Sequence, residues 1–254
     1  MRPRSLLNLN RAVSEGGLSP SAGSRWNIGL AVLLTLSAVT IKADDDAVSM
    51  SPLALAFSAA RLEEALTSDY RFGLDYRSQT VTIRAEVDPA APEGLRLEVV
   101  TAQLAESEDA QRLEAVKADL ERGAAEGYWC SALLKSVPED ARLVTQSDDQ
   151  ATYAFDPLPS GDRNDGFLEN LTGEISVSRL TGTVHSFRLT APKSFRQALV
   201  AKISEFELST QCSASPDGRN FASDFQMSIK GSAAFRQFAD EVVRRLEILE
   251  SPAP

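Results

Sequence analysis

The sequence predicts an α+β domain, with a curved, mostly antiparallel sheet and two or three helices packed on one face. Three observations carry that expectation. Apolar and polar residues alternate with a period of two in segment after segment beyond residue 70. Apolar residues at three- and four-residue spacing are concentrated in the first half of the chain, so the helices fall there. Glycine, proline and Asp/Asn clusters then separate the strand-like runs, as expected for strands that follow one another antiparallel.

Element by element, Ser51 and Pro52 read as the N-cap and first position of a helix. It continues through Ala54, Phe57, Ala60, Leu62 and Leu66 and ends near Thr67. From Tyr70 the period changes to two. Residues 80–88 alternate with Val81, Ile83, Ala85 and Val87 on one face, and Leu95, Leu97 and Val99 mark a second strand after a turn. Residues 105–125 give the clearest helix, because Leu113, Val116 and Leu120 share a face while charged residues cover the others. Residues 128–136 form a short apolar piece, read as a helix turn or a buried connector in which Tyr128 and Trp129 pack.

Beyond residue 141 the pattern is mainly β. Residues 141–146 and 150–155 flank Ser147, Asp148 and Asp149 as a hairpin would, and residues 156–166 read as loop. Residues 173–179 and 183–190 flank a tight turn in which Gly182 can supply positive φ. Residues 195–212 read as one long strand. A turn over 215–220 follows, and Phe221, Ser223, Phe225, Met227 and Ile229 then put one face on the returning strand. Residues 232–249 fit either a helix or a strand.

The N-terminus carries an address. Arg2, Arg4, Arg11 and Arg25 precede an apolar run of about fifteen residues, NIGLAVLLTLSAVTI, which suits a secretory signal and is short for a bilayer-spanning helix. Ala43 before Asp44 provides a small residue at a cleavage point. The expected organisation is a signal peptide over 1–43, a flexible mature N-terminus over 44–50 and a single domain over 51–254. The expected location is the periplasm, with an inner-membrane tether through an uncleaved N-terminus as the alternative.

Separating the signal changes the charge. Taking its five basic residues and one acidic residue from totals of 26 and 36 leaves 21 basic and 35 acidic, a net charge of −14 over 211 residues. Such a domain repels phosphate backbones, so no nucleic-acid partner is expected. Cleavage would also leave no integral membrane segment. Two cysteines remain, Cys130 and Cys212; in an oxidising compartment they can bridge, the alternative being two buried thiols.

No catalytic signature emerges. The chain lacks the nucleophile elbow, the phosphate loop and the HExxH pair, so no enzyme activity, cofactor or metal is expected. His185 is the only histidine and shares a predicted strand with Phe187 and Leu189, which reads as a partly buried histidine rather than a triad member. The segment from Asp162 to Gly166 opens like a calcium loop. Phe167 then stands where the loop needs glycine, and Gly173 where it needs Glu.

The C-terminal half carries a resemblance. The stretch LTGEISVSRLTGTVHSFRL over 171–189, FASDFQMSIKG over 221–231 and the Phe235/Phe238 segment resemble exported bacterial proteins of the LolA/LolB-like lipoprotein-carrier superfamily. The similarity covers residues 140–249 as a pattern of strands and turns. It implies a half-open antiparallel barrel closed by helices, with an apolar cavity for acyl chains. Val81, Ile83, Leu97, Val99, Phe187, Phe225 and Met227 are the residues expected to line it, unless they fill an ordinary core. The expected function is a non-catalytic periplasmic carrier or binder of lipid or lipoprotein. The alternative is an exported interaction or envelope-structural domain with a solid core.

Overall fold

The computed structural model describes residues 50–63, 70–106, 110–125, 128–159, 165–198, 201–234 and 236–250. The expected signal peptide, its cleavage point and residues 44–49 lie outside them. In chain order the elements are α1 (Pro52–Glu63), β1 (Arg71–Ser78), β2 (Val81–Val87), β3 (Leu97–Leu104) and α2 (Ala110–Ala125). A 3-10 helix (Cys130–Ser136), β4 (Arg142–Gln146), β5 (Gln150–Phe155) and α3 (Asp165–Leu168) come next. The chain then runs through β6 (Thr172–Ser178), β7 (Val184–Thr190), β8 (Phe195–Ala198), β9 (Ala201–Ala214), β10 (Asn220–Ala233) and β11 (Arg236–Glu250).

Among the described residues the eleven strands form one antiparallel sheet in the order β3-β2-β1-β11-β10-β9-β7-β6-β5-β4, with β8 paired to β9. The sheet is open, and β3 and β4 are its edges. The first and last strands, β1 and β11, are neighbours, third and fourth from the β3 edge, with Leu74 opposite Leu246. This order forces a crossing. β3 ends at one edge and β4 begins at the other, so the chain between them traverses the whole sheet. α2 and the 3-10 helix lie on that traverse: α2 packs on β2 and β3, and the 3-10 helix on β7 and β10.

The strands between the two edges bury one face. On β2, Val81, Ile83, Ala85 and Val87 are buried and alternate with more exposed residues; on β1, Phe72, Leu74 and Tyr76 are buried. The opposite face is ionic. Asp75 pairs with Arg84 at 3.1 Å, Asp224 with Arg245 at 3.1 Å, Glu205 with Lys230 at 2.6 Å and Glu207 with Arg188 at 2.9 Å. An antiparallel sheet with one solvated face produces this alternation.

Local chemistry sets the boundaries. The Ala54 N–H donates to the Ser51 hydroxyl at 3.2 Å, which caps α1. The β6–β7 hairpin turns at Gly182 with φ +72°, against the backbone of α1. Its neighbour is the β4–β5 turn, where the Arg179 guanidinium donates to the Ser147 and Asp148 carbonyls.

Two expectations need correction, and one open alternative is decided. Residues 195–212 are two strands, β8 and β9, which pair antiparallel with Phe195 opposite Ile203. The alternation survives the reversal between them, which is why the stretch reads as continuous. Of the two alternatives left open for residues 232–249, the strand holds for 236–250: β1 and β10 both hydrogen-bond to β11, and pairing on both sides overrides a helix-favouring composition. Residues 156–166 are not loop throughout, since α3 begins at Asp165.

Candidate inner-face site

Antiparallel partners point to the same face, so register assembles the buried surface. One row runs Ile83, Tyr76, Arg244, Phe225, Thr210, Phe187, Ile175 and Tyr153 across eight strands. The seven residues expected to line a cavity belong to this face. Val81, Ile83, Phe187 and Met227 are buried, and Leu97, Val99 and Phe225 are partly buried against the same core. Their surroundings are packed: Phe187 stacks at 5.7 Å on Phe155, and Met227 stands between Leu208 and Val242.

A small cavity lies where α1 and the 3-10 helix meet the β6–β7 turn. Ala56, Ala60, Glu63, Ser131, Thr183 and Asn220 line it, and at about 10 Å³ it is on the order of one water molecule. The Asn220 amide donates to the Val184 carbonyl at 2.8 Å beside it.

Two arginines organise the rest of the face. Arg219, at the β9–β10 turn, stacks at 3.9 Å on the Trp129 ring and 5.8 Å from Tyr70. Its Nε donates to the Asp217 carboxylate at 2.6 Å. Burial alone would raise the Asp217 carboxyl. Hydrogen bonds from the Arg219 side chain, the Ser215 hydroxyl and the Arg219 backbone N–H, together with the guanidinium charge, bring it below the usual carboxylate value.

Arg244 sits on the inner face of β11, opposite Tyr76 on one side and Phe225 on the other. Its guanidinium lies 4.7 Å from the Tyr128 ring and 4.8 Å from the Phe225 ring. Four residues earlier on the same face, Asp240 accepts from Arg112 of α2 at 3.2 Å through Oδ2. Its Oδ1 is buried and has no hydrogen-bond donor among the described residues. Tyr76 lies within the field of all three. Burial raises its phenol above the usual value; a hydrogen bond with the Ser78 side chain opposes this, the Asp240 charge adds to it, and the two arginines oppose it. It is a neutral hydroxyl at physiological pH.

The Cys130–Cys212 disulfide is present, with the Cα atoms 6.3 Å apart. His185 is the extra residue of a β-bulge: Val184 pairs with Val177 and Ser186 with Ser176, leaving His185 between them and half-buried. No serine hydroxyl or carboxylate hydrogen-bonds to it among the described residues. The Asn170 side-chain amide donates to the Gly166 carbonyl at 2.7 Å. No group of three or more metal-ligating side chains occurs among the described residues, and no helix there is long and apolar enough to cross a membrane.

Sequence reasoning missed Arg112, Asp240, Arg244 and Tyr76 as a set. The signal is the parity of Asp240 and Arg244 with Val242 and Leu246, which carries meaning only once residues 236–250 are known to be a strand. No protein-family model, curated protein or solved structure matches the chain, so none of these comparisons bears on the resemblance of residues 140–249.

Proposed function

We propose that this is an exported, non-catalytic protein that holds the acyl chains of a lipid or lipoprotein against the apolar face of its sheet. In this reading the sheet curves into a half-open barrel, helices cover its concave side, and the mature chain works in the periplasm. The observation that carries it is the division of one broad sheet into an apolar face and an ionic face. The apolar face is incompletely covered, since Leu97, Val99, Phe225, Phe238 and Ile248 remain partly accessible. Partial coverage of one wide apolar surface suits a ligand made of hydrocarbon. The disulfide fits an oxidising compartment.

A second reading, an exported interaction domain with a solid core, is favoured by one observation. The cavity at α1 has room for about one water, whereas ligand pockets run to about 300–1,000 Å³. Native purification followed by organic extraction separates the two. Co-purifying lipid, or a bound hydrophobic dye displaced by fatty acid, supports the carrier. Lipid-free protein that binds no dye supports the solid core. The mass of the native N-terminus tests the address: a chain starting at Asp44 supports export with cleavage, and one retaining the apolar run supports a tether.

A further inference from the structure

We infer that Lys193, Arg196, Lys202, Lys230 and Arg236 form a docking surface for an anionic phospholipid bilayer. The inference rests on the lipid-binding reading for its choice of a bilayer over any other polyanion.

Position is the first argument. One row of the outer face runs Arg196, Lys202, Ser232 and Gln237 across β8, β9, β10 and β11. It lies at the end of the sheet where β9 and β11 begin and β10 finishes. Lys230 stands two residues before Ser232 on β10, and Arg236 is opposite Ala233 at the tip. Lys193 precedes β8 by two residues. All five are exposed.

Charge is the second argument. Arg196 and Lys202 are direct partners, and like charges directly opposite one another destabilise a sheet. Elsewhere this face compensates its cations: Arg84 has Asp75, Arg245 has Asp224 and Arg188 has Glu207. At this end the carboxylate in register is Glu205, opposite Lys230 and bound to it at 2.6 Å. The side chains of Lys193, Arg196, Lys202 and Arg236 make no ion pair or hydrogen bond among the described residues. Over 193–198, 201–205, 230–234 and 236–239, five cations stand against one carboxylate, in a chain whose net charge is −10. The next residue, Asp240, belongs to the inner face and is held by Arg112. Folding gains nothing from a repulsive row, whereas an anionic partner neutralises it. The acidic remainder of the chain turns this end toward such a partner.

Hydrocarbon lies directly behind the cations. The adjoining inner row is Phe195, Ile203, Gly231 and Phe238 across the same four strands. Phe238 is half-buried, and its ring closes over Gly231, where a Cβ would meet it at 2.6 Å. A bilayer that meets the cations therefore lies at the end of the apolar face. A soluble polyanion gains nothing from that adjacency, which favours the bilayer.

The test is co-sedimentation of the purified mature protein with vesicles of phosphatidylcholine alone and of phosphatidylcholine mixed with phosphatidylglycerol. Wild-type protein should bind only the mixed vesicles at low salt. Salt at about 1 M, where the Debye length is about 3 Å, should release it. Arg196→Gln combined with Lys202→Gln should weaken binding about thirtyfold, the scale of two basic residues at an anionic leaflet. Arg77→Gln combined with Arg142→Gln makes the same charge change at exposed positions of the same face, and should stay within about threefold of wild type. Equal losses in the two pairs would mean that net charge alone acts, and overturn the inference. So does equal binding to the two kinds of vesicle, or a preference that salt leaves intact. Protein that binds soluble polyphosphate but neither vesicle overturns the bilayer as partner. The urea midpoint of the Arg196/Lys202 variant should be unchanged or raised, because a repulsion is removed; a marked drop assigns the row to folding instead. Protein that yields lipid on extraction yet ignores the mixed vesicles overturns this inference alone. Protein that docks on them and holds no acyl chain overturns the lipid-binding reading alone.

Discussion

Cys130 and Cys212 are joined across 82 residues of sequence, and the bond fastens the chain that crosses the sheet to β9. Residues 105–141 connect one edge strand to the other, so they pass over several strands to which they have no backbone ladder. Beside the bridge of Trp129 to Phe221 and single backbone hydrogen bonds such as Leu158 N–H to the Ser136 carbonyl at 2.9 Å, side-chain packing and this one covalent bond hold the described part of the crossing. Closing so long a loop in the unfolded chain lowers its entropy by the equivalent of about 4–5 kcal/mol, a large share of a typical domain's stability. Cys130→Ser/Cys212→Ser should therefore lower the urea midpoint markedly, and reductant should do the same to the wild type. Thiol titration should find no reactive thiol in denatured, unreduced protein; two reactive thiols, or midpoints that match with and without reductant, would discard the staple.

Gly182 and Gly218 both have positive φ, +72° and +85°, but only one of them is crowded. A Cβ at Gly218 meets nothing within 4 Å, whereas one at Gly182 comes within 2.6 Å of the Ala56 backbone nitrogen. Gly218→Ala should cost only the left-handed strain, about 1–2 kcal/mol. Gly182→Ala adds overpacking against a helix backbone that cannot rotate aside, for about 2–5 kcal/mol in total. Thermal melts of the two variants should rank in that order; equal losses would mean that the hairpin does not bear on α1.

Much of this fold was legible because period two is a strong signal on a one-sided sheet. Val81 to Val87, the two hairpins around Ser147 and Gly182 and the turn at Gly218 follow from alternation and turn chemistry. What failed to show was anything decided by partners distant in sequence. β11 looks helical in composition and is a strand because β1, more than 150 residues earlier, pairs with it. The β8–β9 reversal hides inside continuous alternation. Nothing in the sequence singles out Asp240 and Arg244; only the pairing of β11 places them on the face shared by Val242 and Leu246. The seven apolar residues proposed for the cavity were placed on the correct face by parity, but parity says nothing about whether that face is filled.

Asp217 should make stability depend on acid. Its folded-state carboxyl lies below the unfolded value of 3.8, so the proton binds the unfolded chain more readily. The contribution is complete above that value and is lost as pH falls through the folded one. The groups responsible, Arg219 and Ser215, also hold the turn against Trp129. Wild-type protein should lose stability more steeply than Asp217→Asn below about pH 4. Urea midpoints measured across that range check it; parallel curves would show that the turn gains nothing from the charge.

Neighbouring positions on β2 give the sharpest test of the one-sided sheet. Ile83 is fully buried and stands opposite Tyr76 and Ala102, while Arg84, one residue on, faces Asp75 across the ionic side with 67 % of its side chain exposed. Removing the Ile83 side chain to alanine leaves a hole in close packing and should cost about 2–5 kcal/mol. Removing the Arg84 side chain breaks an ion pair at 3.1 Å that water already screens, and should cost no more than about 0.5 kcal/mol. The difference should also respond to salt, with Arg84→Ala approaching wild type as ionic strength rises and Ile83→Ala unmoved. Comparable losses at the two positions would mean that the ionic face is buried against something, and the sheet would then not be the one-faced surface on which the binding proposal rests.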